Sequence, residues 1–294
     1  MKKRTRYIIN PKSGSKGKEE IPNFIEQHTN HDEIDFEICF TEAPKHATLL
    51  AREAAEKNYD VVVAVGGDGS ANETAKGLLK SNTSLGIIPT GSGNGMARHL
   101  KIPMDPVQAI QVINSTCRDT IDTVSVNEEF CLGTIGIGFD AHIAHLFASS
   151  KERGYATYVK LVLSEFYKYK PRIFQFEVDG KEITKECFLL TFANSSQFGN
   201  NAVIAPFADV KDGIIEVSMM RKFPMYVAPH LIYRLMNNTI HHSRYFDLAS
   251  GKNIIVKNPG TLQGHIDGEP VTFHDDLDIK INPGSLSVIV PEGL

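Results

Sequence analysis

Two short glycine-rich segments stand out for what they could hold. Gly66-Gly67-Asp68-Gly69-Ser70 follows a continuous apolar run, Val61-Val62-Val63-Ala64-Val65, and a helical pattern begins at Ala71. Glycines at such a place let the backbone approach a ligand closely, and the start of a helix offers N–H groups to a phosphate. Asp68 complicates this, because a carboxylate beside a phosphate is repulsive unless a cation or a proton transfer intervenes. Mg2+ resolves the conflict by bridging the two. A plain βα turn with a helix-capping Asp explains the same five residues equally well. The second segment, Pro89-Thr90-Gly91-Ser92-Gly93-Asn94-Gly95, follows the next short strand and again opens a helix. Two such loops on successive strands make one phosphate cradle, and two unrelated turns explain them less well. A third loop, Asn10-Pro11-Lys12-Ser13-Gly14-Ser15-Lys16-Gly17, leaves the first strand and fits the same crevice. Lys12 and Lys16 offer positive charge there, although solvated loop lysines are the commoner outcome. GxxxxGK[ST] is absent and no GxGxxG follows the first strand, so neither a Walker A loop nor a dinucleotide fingerprint is present.

The second half carries acids at turns. Asp267-Gly268-Glu269 places two carboxylates around a glycine, where one of them can approach a hydroxyl to the roughly 2.6–3.2 Å that a general base needs. On turn chemistry alone, a simple β-turn is the better explanation. Asp212-Gly213 is equally a hairpin turn or part of a cation site. His142 and His145 share a helix face, but no nearby Cys or Glu completes a zinc set, and His241-His242 reads as a polar loop. No Gly-x-Ser-x-Gly elbow is present to supply an esterase nucleophile.

The elements that must position these residues change character near residue 120. Before it, strands at 7–9, 36–40, 61–65 and 85–88 alternate with helical patterns, including 43–57 with Thr41 at its N-cap position. Alternation of this kind implies a parallel sheet with helices on both faces. Beyond it, short strands dominate, at 121–126, 131–137, 173–178, 188–193, 214–219, 254–256, 262–266, 277–281 and 286–290. Asp179-Gly180, Asp212-Gly213 and Pro283-Gly284 are turn signals among them. Two helices interrupt, at 140–169 with a break near Gly154 and at 224–236. The expected organisation is an α/β nucleotide-binding domain over 1–122, with 286–294 as a segment that can return to it. A mostly antiparallel β-sandwich domain over 123–285 takes the substrate.

Composition narrows the partners. The chain has 294 residues, is 41% hydrophobic and 22% charged, and carries a net charge of −4, which argues against nucleic acid. Cys39, Cys117, Cys131 and Cys187 form no CxxC pair and read as reduced thiols. The basic start has too short an apolar run for a signal peptide, and no stretch approaches a transmembrane span. A cytoplasmic protein is expected, with peripheral contact to a membrane surface if the substrate is a lipid; a homodimer is admitted. The segment 155–172 has amphipathic spacing beside Lys160, Lys168, Lys170 and Arg172. It reads as a helix packed on its own domain before a membrane-surface helix.

Taken in order, these blocks resemble the diacylglycerol kinase catalytic family, which includes bacterial lipid kinases and the sphingoid-base kinases. The resemblance rests on Asn10-Pro11 with Ser13-Gly14, on GGDGS at 66–70 followed by Asn72-Glu73, and on PTGSGN at 89–94. It continues through Gly136-Ile137-Gly138-Phe139-Asp140-Ala141, Ala205-Pro206-Phe207-Ala208 with Asp212-Gly213, Asp267-Gly268-Glu269 and Val290-Pro291, over nearly the whole chain. It implies a two-domain kinase fold, ATP and Mg2+ as cofactors, and transfer of the γ-phosphoryl group to a lipid hydroxyl. By the same resemblance Asn10, Thr41, Gly66, Gly67, Asp68, Gly69, Ser70, Ala71, Asn72, Gly91, Ser92 and Asn94 bind the nucleotide. Asp68 organises Mg-ATP and, in the sphingoid-base branch, is proposed as the base. Asp267 and Glu269 are the acidic pair that holds the general base, and Asp140 matches a position that contacts the substrate head group in the sphingoid-base branch. Asp209, Asp212 and the Ile214 carbonyl form a structural Mg2+ site. Gly95 departs from the pattern, since relatives acting on diacylglycerol usually have Asp there and the sphingoid-base branch does not. Alternatives are therefore a sphingoid-base kinase, an NAD kinase (though no Gly-Ser-Thr-Ala-Tyr segment is present) and a non-catalytic nucleotide- or lipid-binding protein.

Overall fold

The structure, a computed structural model, describes residues 2–12, 18–150, 155–258 and 260–293. Its first elements are β1 (Lys3–Ile9), α1 (Ile21–His28), β2 (Ile34–Phe40), α2 (His46–Glu56), β3 (Val61–Gly66), α3 (Asp68–Leu78), β4 (Ser84–Pro89), α4 (Gly95–His99), α5 (Pro106–Ser115) and β5 (Arg118–Val126). There follow β6 (Glu129–Cys131), β7 (Thr134–Gly138), α6 (Phe139–Ser149), α7 (Tyr155–Phe166), β8 (Arg172–Val178), β9 (Lys181–Cys187), β10 (Leu189–Ala193) and β11 (Ile215–Met220). The chain closes with α8 (Ala228–Met236), β12 (Phe246–Gly251), β13 (Asn253–Val256), β14 (Leu262–Ile266), β15 (Glu269–Phe273) and β16 (Leu277–Ile289). Two compact units result, Met1–Asp122 with Pro283–Leu294, and Thr123–Asn282.

In the first unit the sheet order is β2-β1-β3-β4-β16, and every pairing is parallel. All six residues of β3 and of β4 are buried, which is why their sequences are unbroken apolar runs. The chain leaves β1 outward to β2, then crosses back over β1 to β3. Right-handed crossovers in opposite directions put the helices on opposite faces, so α1 packs with α5 while α2 packs with α3. The reversal of winding lies between β1 and β3, and ligands of open α/β sheets bind beyond the carboxyl ends of the strands at such a point.

The second unit has an antiparallel sheet, β12-β11-β10-β7-β14-β15, and a second sheet that joins the first part of β16 to β13, β8 and β9. Side chains alternate across the strands. Ile135, Ile137, Leu190, Phe192, Val217 and Met219 point into a core shared with Phe174, Phe176, Ile254, Val256 and Leu277, so the unit is a β-sandwich. Leu189, Ala193 and Met220 point the other way, into a second cluster with Phe139 and Ile143 of α6, Phe166 of α7 and Leu231 of α8.

Several elements differ from their sequence patterns. Residues 277–281 and 286–290 belong to one strand, β16. The Pro283-Gly284 signal falls inside it, where Gly284 has φ +57° and donates its N–H to the buried Asp122 carboxylate at 2.7 Å. The expected strand at 131–137 is interrupted at Leu132-Gly133, where the N–H groups face the Asp267 carboxylate. Helix α2 starts at His46 behind Lys45, which has φ +67°, so Thr41 does not cap it. Gly154, the expected break before α7, lies outside the described residues.

Candidate active site

In the first unit, the loops after β1, β3 and β4 are tied together at the carboxyl ends of three adjacent strands. Asn10 donates from Nδ2 to Ser70 Oγ at 3.2 Å, across the reversal between β1 and β3, and accepts on Oδ1 from the Lys12 N–H at 2.9 Å. Gly67 and Gly91 pack backbone against backbone. A Cβ placed on Gly91 would lie 2.4 Å from Gly67 Cα and 2.8 Å from Asn94 Oδ1, so only glycine permits this approach. Asp68, first residue of α3, accepts on Oδ1 from the Met96 N–H at 3.2 Å and so joins the start of α3 to the start of α4. The two glycine loops are thus one structure.

The other nucleotide candidates fall around this junction. Gly66 closes β3, Gly67 to Gly69 are half-buried, and Ser70 and Ala71 are buried in the first turn of α3 with Asn72 beside them. The leading N–H groups of a helix have no carbonyl partner within it, so those of α3 are suited to an anion. Ser92 is exposed at the tip of the second loop. Asn94 has φ +53° and its buried amide serves its own loop, accepting from the Gly91 N–H at 3.0 Å and donating to the Gly91 carbonyl at 2.8 Å. Thr41 follows β2 directly and donates its N–H to the Ile9 carbonyl at 2.9 Å. Ser13, Gly14 and Lys16 lie outside the described residues.

In the second unit, the two acids of the Asp267-Gly268-Glu269 turn have different surroundings. Asp267, at φ +49°, accepts the Leu132 N–H on Oδ2 at 2.8 Å and the Gly133 and Thr134 N–H groups on Oδ1 at 2.7 and 2.8 Å. These three amides turn toward the carboxylate instead of a neighbouring strand, which is what interrupts the chain between β6 and β7. Glu269 opens β15 and is exposed. Of the pair, Asp267 anchors the turn and Glu269 presents its carboxylate to solvent.

His265 is a site residue that the sequence reading passed over. Its Nε2 lies 3.1 Å from Asp140 Oδ2, and both side chains are buried. Its Nδ1 accepts the Gly268 N–H at 3.3 Å, so the ring proton sits on Nε2 and is donated to Asp140. Asp140 also accepts from Thr191 Oγ1 at 3.4 Å and from the Ala141 N–H at 2.9 Å. The pair closes over Gly136, where a Cβ would fall 2.1 Å from Asp140 Oδ2. Asp140 therefore reaches the Asp267–Glu269 turn through one imidazole. The available signal was alternation along β14, which puts His265 on the face opposite Ile266.

Asp209, Asp212 and Ile214 share one loop. Asp209 Oδ1 accepts from the Lys211 N–H at 3.0 Å, and Asp212 Oδ1 from the Ile214 N–H at 2.9 Å. Beneath them Glu216, also unforeseen, is buried. It accepts the Phe207 N–H on Oε2 at 2.7 Å, its Oε1 is without a partner, and burial pushes its carboxyl up to about 7. Among the described residues, no three or more His, Cys, Asp and Glu side chains group closely enough to hold a metal ion. His142 pairs with Glu165 at 3.1 Å, and His145 lies 3.1 Å from the Gly264 and Val271 carbonyls, so both serve the fold.

Residues 4–126 match the diacylglycerol kinase catalytic domain, and residues 133–290 match the YegS C-terminal NAD kinase beta sandwich-like domain. The chain belongs to the diacylglycerol kinase-like family. It is 29% identical over 280 residues to a protein of Bacillus subtilis named diacylglycerol kinase, covering 91% of this chain and 90% of that one. It is 28% identical over 250 residues to a Chromohalobacter salexigens protein named probable lipid kinase YegS-like, covering 83% and 80%. The structure of a putative diacylglycerol kinase from Bacillus anthracis superposes with a TM-score of 0.80, at 20% identity, over 99% of this chain and 96% of that one. No helix among the described residues is long and apolar enough to cross a membrane.

Proposed function

We propose that this protein is an ATP- and Mg2+-dependent lipid kinase that transfers the γ-phosphoryl group to a lipid hydroxyl, with diacylglycerol as the first candidate substrate. The observation that carries the reading is the junction of three loops at the carboxyl ends of β1, β3 and β4, made by the Asn10–Ser70 bond, the Gly67–Gly91 approach and the Asp68–Met96 bond. Such a junction supplies closely spaced backbone N–H groups to a polyphosphate, and family membership supports the choice of ATP. Asp68 is a hard oxygen donor at that junction and would hold Mg2+, which offsets the charge on the phosphates during transfer.

The second unit supplies the acceptor side. Glu269 takes the hydroxyl proton, and Asp267 holds the turn that carries it. Asp140 and His265 set the head-group end. At Asp209, Asp212 and the Ile214 carbonyl, two carboxylates and one carbonyl suit a largely hydrated Mg2+, which needs few protein ligands. They would hold it as a support for their loop, above the unpartnered Oε1 of Glu216.

A sphingoid base is the second reading, supported by Gly95, which is buried in the first turn of α4 where an acid would mark the diacylglycerol branch. The test is phosphoryl transfer from Mg-ATP to diacylglycerol, monoacylglycerol, sphingoid bases, ceramide, phosphatidylglycerol and NAD. Labelled phosphatidic acid is the expected product. A phosphorylated sphingoid base selects the second reading, and label on NAD alone overturns both.

A further inference from the structure

Four large apolar side chains of the second unit are exposed within eleven residues. Tyr226 is 80% exposed, Tyr233 63%, Ile232 58% and Met236 48%. Ile232, Tyr233 and Met236 occupy i, i+1 and i+4 of α8 and form one stripe, while Leu231 is buried against the unit's own core. The surrounding sequence holds no carboxylate. From Val217 to Phe246 there is no Asp or Glu, although the chain's 35 acids in 294 residues would place about three or four in a stretch of that length. Its cations are not neutralised by their hydrogen-bond partners. Lys222 donates to the Tyr169 carbonyl, Arg234 to His230 Nε2 and the Thr239 carbonyl, and Arg244 to the Tyr245 hydroxyl. Among the described residues, only Arg221 of this stretch pairs with an acid, Asp247, at 3.2 Å.

We propose that α8 and the turn before it dock the protein on an anionic membrane surface. Tyr226, Ile232, Tyr233 and Met236 enter the boundary between head groups and acyl chains, and Arg234 and Arg244 meet lipid phosphates. An apolar stripe flanked by cations is the pattern of a helix lying in the interface, and tyrosine suits that depth because its ring is apolar and its hydroxyl is polar. Lack of acids across thirty residues of a net-negative chain selects an anionic surface over a neutral one, since each cation near such a surface strengthens binding about fivefold. Helix α7, the amphipathic segment that the sequence first suggests, is fastened to its own unit instead. Phe166 is buried, and Glu165 pairs with His142 and Lys168. The inference rests on the reading that the substrate is a membrane lipid, and its test uses no turnover.

The full chain is sedimented with vesicles of phosphatidylcholine alone and of phosphatidylcholine with one-third phosphatidylglycerol. Binding is expected to favour the anionic vesicles and to weaken with salt. Ile232→Ser with Tyr233→Ser should lower it about tenfold or more, since both lose interfacial burial. Arg244→Gln should lower it about fivefold. Leu163→Ser, at an exposed position of α7, should change it less than twofold. Both helix positions in the double variant are exposed, so its circular dichroism should match the parent. Equal binding to both vesicle types overturns the proposal, as does unchanged binding by the double variant or loss in Leu163→Ser alone. So does a dimer in sedimentation velocity that the double variant dissolves without altering vesicle binding, since the stripe then belongs to a second copy. Turnover of a water-soluble short-chain diacylglycerol should be unchanged in the double variant. If the parent lacks that turnover while vesicle binding behaves as expected, the kinase reading fails and the docking surface stands.

Discussion

Replacing Asp267 and Glu269 one at a time should separate two carboxylates that lie two residues apart. In Asp267→Asn the amide oxygen can still accept from Gly133 and Thr134, but its NH2 group then faces the Leu132 N–H, which donates to Oδ2 at 2.8 Å in the parent. One donor in a buried segment is left unpaired, at a cost of about 1–3 kcal/mol, and the remaining bonds lose their charge assistance. A total of about 2–4 kcal/mol follows. At about 2–4 °C per kcal/mol for a unit of this size, the melting temperature of the second unit should fall by about 5–15 °C. The backbone adds nothing to this, because Asn tolerates the φ of +49° at least as well as Asp does. Glu269 is exposed at the head of β15, so Glu269→Gln should leave the melting temperature unchanged, as surface substitutions cost within about 0.5 kcal/mol. It should lower kcat by about 10²–10⁴, the range for a lost general base. Differential scanning calorimetry and initial rates on the two variants decide the matter. Full stability in Asp267→Asn together with lost activity would refute the division of roles and make Asp267 the base.

Gly91→Ala should weaken ATP binding by more than tenfold in titration calorimetry, because its Cβ would meet Gly67 Cα at 2.4 Å and separate the two loops; overpacking of this kind costs about 1–3 kcal/mol. His265→Ala strands Asp140 without its buried partner and should cost about 3 kcal/mol in denaturant titrations, whereas Asp140→Asn with His265→Gln should recover part of that loss. The first unit should weaken in acid partly through Glu37. Burial pushes that carboxyl up, but hydrogen bonds from Tyr59 and Arg6 outweigh it and hold it below its ordinary value. Its contribution is complete above the unfolded value of about 4.3 and is lost as pH falls through the lower folded value. Glu37→Gln should therefore flatten the loss of stability below about pH 4.3, and an unchanged acid profile would count against the Arg6–Glu37–Tyr59 cluster.

How much was legible depended on whether a residue's meaning was local. Strands β3 and β4 could be read directly, because strands buried on both faces must be apolar throughout. Strand β9 could not, since it lies at the end of its sheet and its exposed residues, such as Lys181, Glu182 and Glu186, carry no apolar run. Strands β12 and β15 were hidden for a similar reason, being short and mixed with polar residues. Pro283-Gly284 looked like a turn because the Asp122 carboxylate that holds Gly284 inside β16 lies 162 residues away. The glycine loops were legible from spacing alone, and the structure adds that Gly67 touches Gly91. His265 was not, because its significance comes from Asp140, 125 residues earlier, and from a glycine that leaves room for both. Glu216 was missed for the same reason: alternation along β11 turns it from the sandwich toward the Phe207 backbone, and nothing in its neighbours signals that.

The most direct test of the account is transfer of labelled γ-phosphate from Mg-ATP to diacylglycerol by the parent, Asp68→Asn and Glu269→Gln in parallel, with melting temperatures measured on the same samples. The account predicts labelled phosphatidic acid from the parent and at least a hundredfold less from either variant, with both as stable as the parent. Equal turnover by all three, or label that reaches NAD and no lipid, would contradict it.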